Sequence, residues 1–276
     1  MAGLHTTALQ LRTAARVIRQ HRASLRGAVS ALDERMVFVM GCPRSGTTFL
    51  AGAIGSCPGF VDLGEVAALK AAAPELARLG TDEAARRIRR LLFVTRRLAL
   101  VGGLRAVEQT PETAFLAEPV RVALPGARLV HIVRDGRDVV CSLLQRGWLS
   151  AGRGGADDAG LAYGAHGRFW VESGREAEFE AASDARRAAW AWRRYVTAAR
   201  SDSDVELRYE QVAADPVGAA GALADALDAP AGLFAPGLGR AHAGSIGRYR
   251  RELSATQLAE VEAEAGDLLR SLGYLQ

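Results

Sequence analysis

Short apolar runs alternate along most of this chain with longer stretches rich in alanine, leucine and arginine. Apolar runs rich in β-branched residues predict strands, which we place at 36–41, about 60–63, 104–108, 127–133 and 204–209. The stretches between them are long enough to form helices. Because this alternation is typical of a parallel sheet covered by helices, the predicted fold class is α/β, with a central parallel sheet flanked by helices in three layers.

Two helices near the C-terminus have recognisable first residues. Asp215 followed by Pro216 places a capping acid before a proline at the first helical position, which predicts a helix through Leu227. Ser254 and Gln257 have the spacing of a capping box, which predicts the start of the last helix.

Three segments depart from the alternation. Residues 151–183 are rich in glycine and predict a long loop or lid over a site, and residues 230–252 form a second irregular stretch. Residues 6–32 predict a basic amphipathic helix that covers the domain, with contact to a membrane surface as the alternative. We therefore divide the chain into an N-terminal helix, 1–35, and one domain, 36–276.

Composition limits the classes of function. The chain has 276 residues, 49% of them hydrophobic, and a net charge of +4 that suits an anionic ligand. Its arginines are spread along the chain and not clustered with aromatic residues, so we predict no nucleic-acid partner. The three cysteines lack metal-ligand or paired spacing, and we see no signal peptide or membrane span. These features favour a cytoplasmic protein without a metal site.

The segment VFVMGCPRSGTTFL at 37–50 has the glycine spacing of a phosphate-binding loop between a strand and a helix. Backbone N–H groups and a helix N-terminus would converge there on one anion. Arg44 adds a guanidinium, while Thr47 and Thr48 add hydroxyl groups. Thr47 stands where a nucleotide triphosphatase needs lysine, and Lys70 is the chain's single lysine. The loop thus predicts a phosphate that arrives without a metal ion.

The run GCPRSGTTFL at 41–50 resembles the 5′-phosphosulfate loop of sulfotransferases that use 3′-phosphoadenosine 5′-phosphosulfate (PAPS). The match is to the PRSGTT form of tyrosylprotein, carbohydrate and bacterial members. It implies a P-loop-containing fold and PAPS as cosubstrate. It also implies that the cosubstrate contacts five consecutive residues, which are Arg44, Ser45, Gly46, Thr47 and Thr48.

A second motif follows the fourth predicted strand. Arg134 ends that strand and Ser142 lies eight residues later, two turns into the next helix, so both side chains can converge on one group. The pair resembles the 3′-phosphate motif of the same family. Further resemblance places Tyr209 beside the nucleotide and assigns Gly244 and Arg248 to a late loop over it. That loop departs from some cytosolic members, which have Arg-Lys-Gly where this chain has His-Ala-Gly at 242–244.

Glu65 follows a glycine and resembles the catalytic glutamate of glycan and tyrosylprotein members, with Arg44 as the second catalytic residue. As a base near neutral pH it should have its pKa raised by burial. The alternative is a capping acid for a helix at 66–79. His131 is predicted to be a core histidine, and Trp190 and Trp192 are predicted to be core residues, whereas His166 is a weak candidate for contact with the acceptor.

One further position departs from the family pattern: Gln109 replaces a lysine found in many members before Thr-Pro. The resemblance still implies an enzyme that transfers a sulfuryl group to a hydroxyl of a carbohydrate, lipid or secondary metabolite. The alternatives are a P-loop kinase of small molecules and a catalytically silent nucleotide-binding protein. The acceptor cannot be read from the sequence, and a homodimer is compatible with the family.

Overall fold

The structure is a computed structural model, and it describes residues 35–96, 103–150 and 170–276, preceded by three isolated positions, 11, 15 and 18. The predicted N-terminal helix, apart from those three positions, lies outside the described residues. So do His166 and residues 151–169 of the predicted glycine-rich loop.

A five-stranded sheet forms the centre of the fold. The strands are β1 (Met36–Met40), β2 (Phe60–Gly64), β3 (Arg105–Glu108), β4 (Arg128–Val133) and β5 (Val205–Arg208). They are arranged in the order β2-β3-β1-β4-β5, and every neighbouring pair is parallel. The predicted strands and the α/β fold class are therefore confirmed.

Helices connect the strands and cover both faces of the sheet. In chain order they are α1 (Thr47–Gly55), α2 (Ala67–Leu76), α3 (Thr81–Arg96), α4 (Ala117–Ala123), α5 (Gly136–Arg146), α6 (Glu176–Ala181), α7 (Asp184–Asp202), α8 (Tyr209–Ala214), α9 (Pro216–Ala226), α10 (Ala235–Leu238), α11 (Tyr249–Glu252) and α12 (Ala255–Ser271). Two short 3-10 helices span Pro111–Leu116 and Ala243–Ser245.

The central strand shows why both faces need cover. Met36, Phe38 and Met40 of β1 belong to one hydrophobic cluster, whereas Val37 and Val39 belong to another. Successive side chains of a strand point to opposite faces, and all five of these are fully buried. A strand buried on both faces is apolar throughout, which is the pattern from which the sequence predicted a parallel sheet.

The predicted helix starts are confirmed. The Asp215 side chain accepts a hydrogen bond from the Gly218 N–H over 2.9 Å, and the helix begins at Pro216. Ser254 and Gln257 form both hydrogen bonds of the capping box at the start of α12.

The prediction of a loop at 151–183 is wrong for its C-terminal part. Residues 176–181 form helix α6, and Phe179 on this helix packs edge-on against Trp190 with ring centroids 5.6 Å apart. Trp170 is also buried. Aromatic contacts with the neighbouring helix therefore order a segment whose composition resembles a loop.

The topology defines one edge for a ligand. Strands β1 and β4 are neighbours, and the chain leaves them toward opposite sides of the sheet, to β2 and to β5 respectively. In open parallel sheets such a switch point opens a crevice beyond the carboxyl ends of the strands. The two predicted phosphate motifs follow β1 and β4, so both lie at this crevice.

Candidate active site

The loop that joins β1 to α1 has an unusual backbone. Arg44 has φ of 77° and Gly46 has φ of 104°, both in the left-handed region. Glycine is required at 46 for a second reason, because a Cβ there would lie 2.7 Å from Cδ2 of Tyr209. The loop is thus packed directly against the residue that follows β5.

The hydroxyl groups of this loop have different surroundings. Ser45 is fully buried, and its Oγ has no hydrogen-bond partner among the described residues. Thr47 is buried, whereas Thr48 is exposed and donates from Oγ1 to Oε1 of Gln109 over 3.1 Å. Gln109 replaces the family lysine, and here its amide joins the end of β3 to the start of α1.

Arg44 extends from the loop toward helix α5. Its Nε donates a hydrogen bond to Oγ of Ser142 over 3.0 Å, and its guanidinium carbon lies 5.9 Å from the ring centroid of Trp148. The structure therefore brings together one residue from each of the two predicted phosphate motifs. Sequence reasoning treated the motifs separately and did not predict this contact.

Arg134 follows β4 and is buried. Its Nη2 hydrogen-bonds to the Ser245 carbonyl and lies 3.6 Å from a carboxylate oxygen of Asp138. Its guanidinium carbon is 5.0 Å from the Tyr209 ring centroid, while its buried Nε has no hydrogen-bond partner in the described part of the chain. Asp138 and Ser142 are four residues apart and share one side of α5, and Arg134 contacts Asp138 from the segment before the helix.

Asp138 is the site residue that sequence reasoning missed. It is fully buried and accepts hydrogen bonds from the backbone N–H groups of Gly247, over 2.7 Å, and Tyr249, over 3.1 Å. These bonds hold the late loop over the start of α5. The one sequence signal for Asp138 was its position four residues after Arg134. That signal is weak, because an acidic residue in the first turn of a helix is common at the surface of proteins.

The other predicted residues of the late loop have local partners. Gly244 lies in the 3-10 helix Ala243–Ser245 and donates its N–H to Nδ1 of His242 over 3.1 Å. Arg248 forms a bidentate ion pair with Glu252, with a closest distance of 2.7 Å, which raises the pKa of Arg248. The Tyr209 hydroxyl both donates to the His242 carbonyl and accepts from the His242 N–H, each over 3.1 Å.

Glu65 follows β2 at the same edge of the sheet. Its Oε2 accepts a hydrogen bond from Nζ of Lys70 over 2.9 Å, and 24% of its side chain is exposed. The Glu65 side chain is therefore partly buried, and its carboxylate meets the ammonium of Lys70. Glu65 does not cap a helix, since α2 begins at Ala67 with Val66 in the capping position.

Backbone contacts connect Glu65 to the phosphate loop. The Gln109 N–H donates to the Gly64 carbonyl over 3.5 Å, and the Gln109 side chain accepts from Thr48. Gly64, which precedes Glu65, is thus hydrogen-bonded to Gln109, and Gln109 contacts the first turn of α1. Glu65 therefore follows β2 at the edge of the sheet where the loop also lies.

The residues predicted to be core are buried. His131, Trp190 and Trp192 are fully buried, and burial lowers the pKa of His131, which contacts Glu206 across the sheet over 3.1 Å. Trp192 donates from Nε1 to the Arg134 carbonyl over 3.0 Å, so this core residue also supports the site. Within residues 35–96, 103–150 and 170–276, no cluster of three or more histidine, cysteine, aspartate or glutamate side chains is placed to hold a metal ion.

Comparison with known proteins decides the family. The sequence profile described as the sulfotransferase family matches residues 72–232, which is more than half of the chain. The chain belongs to the sulfotransferase family. The family assignment predicted from the two motifs is confirmed, and with it the prediction that the protein is an enzyme of this family.

The chain is similar to several solved structures, and the first of them shares its fold. The sulfotransferase domain from the curacin biosynthetic pathway has 13% identity and a TM-score of 0.54, with 87% of this chain and 98% of that chain covered. The sulfotransferase domain of the olefin synthase of Synechococcus PCC 7002 has 14% identity and a TM-score of 0.49, with the same coverage. Sulfotransferase STF1 from Mycobacterium tuberculosis H37Rv has 15% identity and a TM-score of 0.48, covering 95% of this chain and 83% of that one.

Neither curated sequences nor the described helices of the structure add a further feature. No curated protein sequence matches this sulfotransferase at a significant level. Among the helices that the structure describes, none is both long enough and apolar enough to cross a membrane.

Proposed function

We propose that this sulfotransferase transfers a sulfuryl group from PAPS to a hydroxyl group of a carbohydrate, lipid or secondary-metabolite acceptor, without a metal ion. The observation that carries the proposal is the hydrogen bond from Arg44 to Ser142. It joins the loop that resembles the 5′-phosphosulfate motif to the helix that resembles the 3′-phosphate motif. A nucleotide with phosphate groups on both the 3′ and the 5′ oxygen of its ribose suits two neighbouring sites that each contain an arginine.

Two buried polar atoms support the fit of such a ligand. Ser45 Oγ and Arg134 Nε are both buried without a hydrogen-bond partner among the described residues. Buried polar groups in native proteins are almost always hydrogen-bonded, and both atoms are donors suited to phosphate oxygens. Each lies in one of the two motifs, so the 5′- and 3′-phosphates of the nucleotide would satisfy one atom each.

The proposed roles of the binding residues follow their positions. Ser45 Oγ, the N–H groups of residues 46–48 and the Thr47 hydroxyl hold the 5′ end at the start of α1. Arg134 and Ser142 hold the 3′-phosphate. Tyr209 packs beside the nucleotide, with Gly244 and Arg248 on the loop that covers it. Arg248 is paired with Glu252, so its contribution is to order that loop.

The proposed chemistry needs a base and a group that stabilises the departing charge. PAPS supplies the sulfuryl group and the leaving phosphate. Glu65 accepts the hydroxyl proton while the acceptor oxygen forms its bond to sulfur. Arg44 and the N–H groups of the loop stabilise the electron pair that the 5′-phosphate oxygen keeps when its bond to sulfur breaks.

Calorimetric titration tests the cosubstrate class. We expect adenosine 3′,5′-bisphosphate to bind in EDTA with micromolar or tighter affinity, and ATP with magnesium not to bind. The opposite result would establish a kinase-like triphosphate site and overturn the proposal. Binding of the bisphosphate without any release of product from PAPS, over a panel of sugars, alcohols and phenols, would identify a silent nucleotide-binding protein instead.

A further inference from the structure

The single lysine of the chain is buried between two carboxylates. The Lys70 side chain is 5% exposed, and its Nζ lies 2.9 Å from Oε2 of Glu65 and 3.9 Å from Oε2 of Glu112. Glu112 belongs to the 3-10 helix that follows β3, whereas Lys70 belongs to α2. One ammonium thus joins an acid at the surface of the site to an acid inside the protein.

Glu112 is fixed in the interior from its other side. Its Oε1 accepts a hydrogen bond from the Tyr195 hydroxyl over 3.1 Å, while its Oε2 has no hydrogen-bond partner in the described residues. Burial raises the pKa of Glu112 to about 7, against the opposing effect of Lys70. The charged or titratable groups that face it are Lys70, Glu65, Tyr195 and Cys42.

The cluster adjoins the phosphate loop. Cys42 is the second residue of that loop, and its pKa is raised first by burial and then by the charge of Glu112. The charge of Glu112 therefore acts on the loop, and Lys70 connects Glu112 to Glu65. A buried lysine is costly unless it is paired, and a role in stability alone would be met as well by apolar residues of similar volume.

We propose that Lys70 is a positioning residue for the reaction, in which its ammonium holds the Glu65 carboxylate against the acceptor and Glu112 holds the ammonium from the buried side. The inference rests on the proposed role of Glu65 as the base. Without Lys70, the Glu65 side chain has several rotamers available and reaches the acceptor oxygen in only some of them. The effect is on turnover and not on the affinity for nucleotide.

The uniqueness of Lys70 permits a direct test that does not depend on turnover. Protein labelled with lysine carrying ¹³C and ¹⁵N gives a single side-chain signal in NMR. We expect the Cε signal of Lys70 to titrate with a midpoint near pH 7, and this step to disappear in Glu112→Gln. The signal should also shift in Glu65→Gln, but not in Glu262→Gln, which changes an exposed glutamate. A Lys70 signal that ignores both Glu112→Gln and Glu65→Gln overturns the inference.

Kinetics then separate positioning from folding. Lys70→Met alone leaves the carboxylates of Glu65 and Glu112 without their cation. The double variant Lys70→Met/Glu112→Gln also replaces the buried carboxylate with an amide, so position 112 carries no unpaired charge. We expect that double variant to bind adenosine 3′,5′-bisphosphate within about twofold of wild type but to lose about a hundredfold in kcat. Lys70→Arg should restore part of kcat, because it returns a cation. An unchanged kcat in the folded double variant contradicts the inference.

Glu65→Gln, measured in parallel, distinguishes the two possible failures. If Glu65→Gln loses turnover while the double variant keeps it, only the role of Lys70 is wrong. If Glu65→Gln turns over normally, the proposed base is wrong, and the role of Lys70 is wrong with it.

Discussion

Nε of Arg44 donates a hydrogen bond to Oγ of Ser142 over 3.0 Å, across 98 positions of sequence. One guanidinium thereby connects the loop after β1 to the helix after β4. A contact that holds the two proposed phosphate sites at one distance lowers the entropy lost when a nucleotide binds.

Ser142→Ala should therefore weaken nucleotide binding. The substitution removes the hydroxyl that we propose donates to the 3′-phosphate, and also the hydrogen-bond partner of Arg44. We expect calorimetry to show a loss of about 1.5–3 kcal/mol in the binding free energy of adenosine 3′,5′-bisphosphate. Arg134→Ala should lose a similar amount. Ser201→Ala is the matched control, because that serine is exposed and bonds only within its own helix turn and to Asp202; equal affinities for Ser142→Ala and Ser201→Ala would contradict the assignment.

Gly46→Ala should damage the loop. The new Cβ would meet the Tyr209 ring, and the residue has a backbone conformation that alanine rarely adopts. We expect a loss of about 1–3 kcal/mol in the free energy of unfolding, measured in urea, together with weaker nucleotide binding. Gly52→Ala lies on the same helix with open space around its Cβ, and it should stabilise the protein by up to about 1 kcal/mol. Equal effects of the two substitutions would exclude the proposed close approach.

Asp138→Asn should release the late loop from α5. An amide presents an N–H group to one of the two backbone N–H donors of Gly247 and Tyr249, so one hydrogen bond is lost in a buried place. We expect a loss of about 1–3 kcal/mol in stability and faster proteolysis near residues 242–249. Asp267→Asn changes a fully exposed acid and should have no measurable effect. A protease pattern unchanged in Asp138→Asn would show that the loop is held by other contacts.

The stability of the protein should depend on pH through Glu112. Burial raises the pKa of this group to about 7, above its ordinary value, so the native state keeps a proton that the unfolded state releases from about pH 4.5 upward. Stability from this group is therefore present at low pH and declines as the pH rises toward 7. Relative to Glu112→Gln, the wild type should lose up to about 1.4 kcal/mol per pH unit between pH 5 and 7 in urea unfolding. If the free energy of unfolding of the wild type and of Glu112→Gln changed equally with pH, this prediction would be wrong. Glu262→Gln is the control, and its free energy of unfolding should change with pH as that of the wild type does.

Glu65→Gln should separate catalysis from binding. Glutamine has nearly the same shape but cannot accept the hydroxyl proton, so turnover should fall by at least about a hundredfold. The affinity for adenosine 3′,5′-bisphosphate should change less than twofold, since Glu65 contacts Lys70 and not a phosphate motif. Release of product from PAPS and calorimetry measure the two effects.

Most of the fold follows from local sequence signals. The five strands were predicted because each is an apolar run long enough for one strand, and the starts of α9 and α12 because their caps use short-range hydrogen bonds. Helix α6 was missed, since its surroundings are glycine-rich and its order comes from Phe179 packing on Trp190. That contact joins α6 to α7, so the sequence of α6 alone does not predict it.

The sequence by itself determined the strand pattern and the family, and it predicted an anion loop at 41–48, because these depend on residue types at fixed short spacings. Only the tertiary structure decided that Arg44 meets Ser142, that Asp138 holds the late loop, and that Lys70 joins Glu65 to Glu112. The physical reason is that parallel strands bring their carboxyl ends to one edge, whatever their separation along the chain. Side chains that meet there come from different strands, and their partners are set by packing.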